Sequence, residues 1–287
     1  MSELREFHYR LPSRVPGQRP GAHEGTGLGS GQLFAAHRRL FDHPDPRRLD
    51  LRASVRDLRH EWLVRIQRQR TAVPVHALID LSASMHFGAG KTKLEVVADF
   101  IEALGQSVFR AGDALGVMGF DAAAREDFFM PLRQGRGLGI AMATRLRGLR
   151  PQQAGQGSVQ GLEACVARLA GSRGLVFIVS DFHWPVDKLG GVLDLLAPAC
   201  VVPVIAWDPA ETEPPDARAL LAVSDAETGE RRTLWLREGL RTLWREAVAS
   251  RRAQLHALFA AHGAAAFHLD GRFDGEALSR HFLEVVT

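Results

Sequence analysis

From residue 73 onward, apolar β-branched runs alternate with stretches of helical period, and this alternation limits the fold more than any other feature of the chain. "VPVHALID" (73–80) reads as a strand by its branched and apolar content. In the next stretch Leu94, Val97, Ile101, Leu104 and Val108 recur at helical spacing until Gly112-Asp113 ends the run. "ALGVMGF" is the second strand and "REDFFMPLR" an edge strand. A helix near 138–149 and a Gln/Gly-rich loop follow; "SVQGLEACVARLA" is then a helix and "GLVFIVSD" a strand. "VDKLGGVLDLLAPA" reads as a helix, "CVVPVIAW" as a strand and "DPAETEPPDAR" as a loop. A hairpin turning at Thr228-Gly229, a long helix over 237–262, the strand "AAAFHLD" and the helix "GEALSRHFLEVV" complete the series. Such alternation builds a Rossmann-like, doubly wound and mostly parallel sheet with helices on both faces. Ligands in such sheets bind beyond the carboxyl ends of the strands, where strand order reverses. Asp80 and Asp181 each stand at such an end.

The front of the chain is different. Residues 11–32 are rich in Pro, Gly and Ser and read as irregular and extended. Pro44 and Pro46 break any helix there, and residues 48–70 mix apolar and basic side chains without a clean period, which predicts short elements packed on a larger domain. Residues 1–70 therefore read as an arginine-rich extension, and 71–287 as the main domain. The extension carries 14 Arg against 8 Asp and Glu, so its balance is +6 within a chain of net charge +3. Its acidic residues are interspersed and aromatic residues able to stack on bases are few, which favours an acidic protein surface or an internal docking face over nucleic acid. Within "DPRRLDLRASVR", internal pairing of Asp45, Arg48 and Asp50 is the expectation, with a docking surface for a partner protein as the alternative.

No apolar run reaches the roughly 20 residues a membrane span needs, and the first residues lack the apolar core of a secretory signal. A cytoplasmic chain without a membrane span is the expectation. Cys165 and Cys200 lie in apolar surroundings without paired spacing and read as buried small hydrophobes.

The segment "DLSASMHFGAGKTK" (80–93) admits two chemistries. Its second half resembles a phosphate-cradling loop, but the first glycine of G-x-x-x-x-G-K-[ST] falls on Met85. The remaining expectation for "GAGKT" is a turn before a helix, with Lys91 and Lys93 solvated. Its first half, Asp80-x-Ser82-x-Ser84, supplies one carboxylate and two hydroxyls from a single turn, oxygen donors suited to Mg²⁺. Asp181, after the strand "LVFIVS", and Ser158, at the start of the helix preceding that strand, complete a candidate set of five metal-site residues. Catalytic motifs are missing. A phosphotransferase of the haloacid-dehalogenase type needs an acid where Ser82 stands, and "LSASM" lacks both glycines of a hydrolase elbow. The rival to a binding role is a Mg²⁺-dependent nucleotide or phosphoester hydrolase.

Asp80, Ser82, Ser84, the hydroxyl at Ser158 and Asp181 resemble the metal-ion-dependent adhesion site of von Willebrand factor A domains. "DPRRLDLRASVR", "LIDLSASMHFG", "GDALGVMGF", "IVSDF" and "DAETGE" are similar, in this order, to the MoxR-associated branch of that superfamily, long labelled a domain of unknown function. The resemblance implies a Mg²⁺-dependent protein-binding face, with Mn²⁺ or Ca²⁺ as alternatives, and a non-enzymatic role. It implies a MoxR-type AAA+ ATPase as partner in the maturation, assembly or metal insertion of a client, a methanol-dehydrogenase-like oxidoreductase being one instance. The client would contribute an Asp or Glu to the metal. Two departures stand out: Ser158 replaces the usual threonine, and the transmembrane helices of many relatives are missing. His86, His183 and Trp184 are candidates for the partner-contact rim of this face.

Overall fold

A computed structural model describes residues 6–12, 21–29, 33–151, 155–215, 220–226 and 228–286. The backbone divides into two compact units. The smaller comprises Ser13–Val73 with Ala111–Asp113, and the larger comprises Met1–Pro12, Pro74–Arg110 and Ala114–Thr287.

The smaller unit is a three-stranded antiparallel sheet of β1 (His23–Gly29), β2 (Leu33–Arg39) and β3 (Leu63–Thr71), with β3 in the middle. Residues 23–29 are thus a strand, not the irregular segment the Gly content predicts, while 13–20 and 30–32 of that stretch lie outside the described residues. The reason is local: a Cβ at Gly25 would stand 2.7 Å from the Gln69 carbonyl oxygen, so glycine permits the close approach of β1 to β3. On β3, Val64 and Ile66 point inward and Arg65 outward, a two-residue period carried by only two apolar side chains.

Asp50 organises this unit. It caps helix α1 (Leu51–Arg56), accepting from Ala53 N at 3.1 Å, and takes Arg65 Nε at 2.6 Å and His37 Nε2 at 3.0 Å on its other oxygen. The bond from Arg65 leads in holding its carboxyl well below the usual carboxylate range, followed by those from Ala53 and His37. Arg48 pairs with Asp45 at 3.2 Å, so the acidic residues of "DPRRLD" are paired within the unit. A depressed carboxyl stabilises the folded state fully above its unfolded pKa, near 4, and this contribution fades as pH falls towards the folded value. Asp50→Asn, which keeps a capping side chain, is therefore expected to melt below the wild type at pH 7, with the gap closing as pH drops below about 4. A gap that persists unchanged at pH 3 would show that charge is not its cause.

In the larger unit the chain runs β4 (Pro74–Asp80), α2 (Lys93–Ala111), β5 (Ala114–Phe120), β6 (Ala124–Arg133), α3 (Leu138–Gly148), α4 (Val159–Ala167) and β7 (Leu175–Ser180). It continues with α5 (Leu189–Leu195), β8 (Cys200–Trp207), α6 (Pro209–Thr212), the antiparallel hairpin β9 (Leu220–Ser224) and β10 (Arg231–Trp235), α7 (Glu238–Ala261), β11 (Phe267–Asp270) and α8 (Gly275–Val286). Six strands form one sheet in the order β11-β8-β7-β4-β5-β6. All neighbours are parallel except β6, which runs antiparallel to β5 at the edge, the position expected for "REDFFMPLR". Numbered within the sheet, this is the 3-2-1-4-5-6 order of Rossmann-like folds with the third strand reversed. The switch point lies between β4 and β7.

Side chains explain the layers. β5 and β7 are buried along their whole length, as expected of central strands covered on both faces. On one face Val176 and Ile178 pack with Leu162, Val166 and Phe259 of α4 and α7. Phe177, pointing the opposite way, meets Phe100 of α2, Phe282 of α8 and Phe7, with ring centroids 5.3–6.4 Å apart. Helix α2 begins with a capping box, Thr92 N donating to Glu95 Oε2 and Glu95 N to Thr92 Oγ1, and ends at Gly112, whose φ of 72° is left-handed. Inside "DPAETEPPDAR", expected as a loop, Asp208 and Glu211 form a second capping box that opens the short α6. Cys165 is buried and Cys200 half-buried, both free, and burial pushes both thiols up to about 11. Among the described residues no helix is long and apolar enough to cross a membrane.

Candidate functional site

An aspartate stands at the carboxyl end of every parallel strand: Asp80 closes β4, Asp121 follows β5, Asp181 follows β7, Asp208 follows β8 and Asp270 closes β11. These ends face turns and helix N-termini with unpaired N–H groups, which carboxylates satisfy. Asp80 and Asp181 flank the switch point and are both fully buried.

Each Asp80 oxygen is engaged. Oδ1 accepts from Ser82 N at 2.9 Å, while Oδ2 accepts from Ser180 Oγ at 2.7 Å and from Trp184 Nε1 at 3.2 Å. Burial raises the pKa of this carboxyl, the negative charge of Asp181 adds to the rise, and the hydrogen bonds from Ser82 and Ser180 oppose it. Ser82 and Ser84 belong to a tight turn, with their hydroxyl oxygens 3.2 Å apart, and the Ser84 hydroxyl hydrogen-bonds Asp181. Four of the five candidate residues therefore form one connected group. Ser158 is directed elsewhere: its hydroxyl accepts from Gly161 N at 3.1 Å as the cap of α4 and lies 3.2 Å from the carbonyl oxygens of Asp121 and Ala122. The loop before it does border the site, since Ala83 N donates to Gly155 O at 3.1 Å and Gly155 N to Asp121 Oδ2 at 3.3 Å.

Asp181 carries the contact that residue patterns did not reveal. Lys93 Nζ donates to Asp181 Oδ2 and to Glu211 Oε1, each at 2.7 Å, and the lysine side chain is 2% exposed. Lys93 is thus buried in an ion-paired triad, not solvated, whereas Lys91 is exposed and pairs with Asp99 at 2.7 Å. Burial pushes the Asp181 carboxyl up, but the charges of Lys93 and His183 and the hydrogen bonds from Lys93 and Ser84 outweigh it, so its pKa lies below the ordinary value. Burial likewise works against the Lys93 ammonium, yet Asp181 and Glu211 together raise its pKa above the usual lysine value.

The rim candidates separate. His183 is partly exposed, stacks on Trp207 at 6.0 Å with nearly coplanar rings, and holds Nε2 at 3.9 Å from Glu211 Oε1. His86 is half-buried at the end of the Ser82–Ser84 turn, and burial lowers its pKa. Trp184 is not a rim residue: it is 5% exposed, packs against Phe182 and spends its indole N–H on Asp80. Just before His183 and Trp184, Phe182 adopts φ 51°, an uncommon conformation for a bulky residue, and Arg251 secures the turn by donating to the Phe182 and Trp184 carbonyls.

A Rossmann-ordered α/β unit with buried carboxylates, paired hydroxyls and one ammonium gathered at its switch point defines the class. The chain belongs to the family described as "Protein of unknown function DUF58", whose model matches residues 39–254. Among solved structures, an aerotolerance-related membrane protein from Bacteroides fragilis is similar at 14% identity and TM-score 0.47, over 75% of this chain and 98% of that one. The conserved hypothetical protein BatB from Bacteroides thetaiotaomicron is similar at 14% identity and TM-score 0.46, with the same 75% and 98% coverage. Proximal thread matrix protein 1 from the mussel byssus aligns at 12% identity and TM-score 0.40, over 75% of this chain and 46% of that one. No curated protein gives a sequence match.

Proposed function

We propose that the chain is a von Willebrand A-like adaptor that binds partner proteins through a divalent ion, Mg²⁺ in the first instance, and works with a MoxR-type AAA+ ATPase in maturing or assembling a client complex. The observation carrying this reading is the connected group Asp80–Ser82–Ser84–Asp181 at the switch point. Its donors are hard oxygens, the chemistry Mg²⁺ prefers. The charge also fits: the buried carboxyls of Asp80 and Asp181 stand together at the site, and the ammonium bonded there, that of Lys93, reaches only Asp181 of the two. The family resemblance in the ordered motifs supplies the ATPase and the client.

In this reading Ser82, Ser84 and Asp181 hold the ion. Asp80 orients the turn by accepting from Ser82 N, and Trp184 and Ser180 keep Asp80 itself in place. When bound, the ion offers an electrophilic position that a partner's Asp or Glu completes. Ser158, committed to capping α4, shapes the loop beside the site without joining the donor set.

A Mn²⁺ titration followed by electron paramagnetic resonance tests the reading. Saturable binding by the wild type is expected, weakened at least about tenfold in Ser82→Ala/Ser84→Ala, since two neutral oxygen ligands are lost. Equal titration curves for both proteins would overturn it. The same reading makes the chain inert towards ATP; turnover that vanishes in Lys91→Ala would replace it with the hydrolase.

A further inference from the structure

Lys93 sits where a cation is doubly disfavoured. It is the first residue of α2, at the positive end of the helix, and its side chain is 2% exposed. Its ammonium bridges two carboxylates of unlike setting. Asp181 is fully buried and shares the Ser84 hydroxyl, whereas Glu211 is 22% exposed and is held from outside by the α6 capping box, Asp208 N donating to its other oxygen. One partner thus belongs to the candidate ion site and the other stands apart from it. An ammonium has three donors on a flexible stem and can change its share between two acceptors without leaving either.

We propose that Lys93 is the residue that sets the divalent-ion affinity of this site: its ammonium competes for Asp181, and Glu211 is the acceptor onto which it withdraws when an ion takes that carboxylate. This rests on the ion-binding reading above. The site then holds one positive charge of its own and releases Asp181 only to a stronger cation, so monovalent ions do not displace it. Glu211 keeps the displaced charge paired and lowers the cost of the exchange.

Mn²⁺ alone, at fixed ionic strength, is the probe, with binding read by electron paramagnetic resonance on the full chain. Lys93→Met preserves most of the side-chain volume and removes the competitor; it is expected to bind Mn²⁺ about tenfold tighter or more. Glu211→Gln retains an oxygen for the Asp208 cap but no charge to receive the ammonium; it is expected to bind about tenfold weaker. Opposite shifts support the proposal, because a lysine that merely packs would not produce them. If Ser82→Ala/Ser84→Ala abolishes binding while Lys93→Met is unchanged or weaker, the role of Lys93 is overturned and the ion site stands. If neither the wild type nor any variant binds, the ion site is overturned and this proposal with it. Should Lys93→Met fail to fold, Glu211→Gln decides: unaltered affinity there overturns the proposal.

Discussion

In chelator, Lys93→Met is expected to lose about 3–5 kcal/mol of stability, the usual cost of removing one partner from a buried ion pair. At about 2–4 °C per kcal/mol for a unit of this size, the melting midpoint should fall by roughly 10 °C. The loss comes less from the missing attraction than from what is left behind. Asp181, fully buried, would keep its charge beside Asp80 with its directly bonded cation gone, leaving the Ser84 hydroxyl, the His183 amide and the unbonded charges of His183 and Arg251 to answer it. Glu211, partly exposed, hydrates and costs little. Adding Asp181→Asn to Lys93→Met should therefore restore most of the midpoint, whereas adding Glu211→Gln should restore almost none. Calorimetry of the three variants in chelator checks this, and an unchanged midpoint for Lys93→Met alone would sink it.

Gly139→Ala should produce the second large loss. A Cβ there would stand 2.6 Å from the Ile101 carbonyl oxygen and 2.8 Å from Gly105 Cα, both backbone atoms of α2 that cannot swing aside. Reciprocally, a Cβ at Gly105 would meet Gly139 Cα at 2.4 Å. The two glycines let α2 and α3 touch backbone to backbone, and one methyl must drive them apart. Overpacking of this kind costs about 1–3 kcal/mol or more, against which alanine's better helix propensity returns about 1 kcal/mol. A net fall of several degrees in the midpoint is expected. Gly105→Ala/Gly139→Ala should be little worse than the worse single variant, because the helices have already parted. Full additivity of the two effects would mean that the sites do not share one contact.

The parts of the fold legible in the residues were those marked by long apolar runs. β4, β5, β7 and β8 each carry enough branched or apolar side chains to announce a strand, and the acidic and basic residues of β6 place it at an edge. Asp80 and Asp181 were legible for the same reason, as the polar residues that end such runs; "GFD", "AWD" and "HLD" repeat the signal at Asp121, Asp208 and Asp270. The three-stranded sheet was not legible. β3 shows its period through Val64 and Ile66 alone among arginines and glutamines, and β1 hides behind glycines that serve strand contact, not turns. Lys93 escaped because a lysine at a helix start ordinarily faces water, and its acceptors lie 88 and 118 residues away. The box Asp208-x-x-Glu211 marks a helix start but says nothing of the second oxygen of Glu211, which is the one that matters at the site. For Trp184, adjacency to His183 left a rim contact and packing under the loop both open, and the structure shows the packing: neighbours in this turn point to opposite sides, so His183 faces out while the indole turns in to Asp80.

Phe7 has a bearing on how this gene could be cut. Its ring lies among Phe100, Phe177, Phe273 and Phe282, and its amide donates to Ser107 Oγ, so the first described residues belong to the six-stranded unit. The chain then leaves to build the three-stranded unit and returns at Pro74. That unit is consequently a cassette spliced into its host near the front, tethered at both ends. Stepwise trimming from the N-terminus takes Phe7 out of the host's aromatic centre before it reaches β1, so such truncations damage the larger unit first. An internal excision bridging residues 12 and 74 removes its main segment but leaves Ala111–Asp113 behind, with Asp113 robbed of the His23 ring and the Val73 amide that it binds.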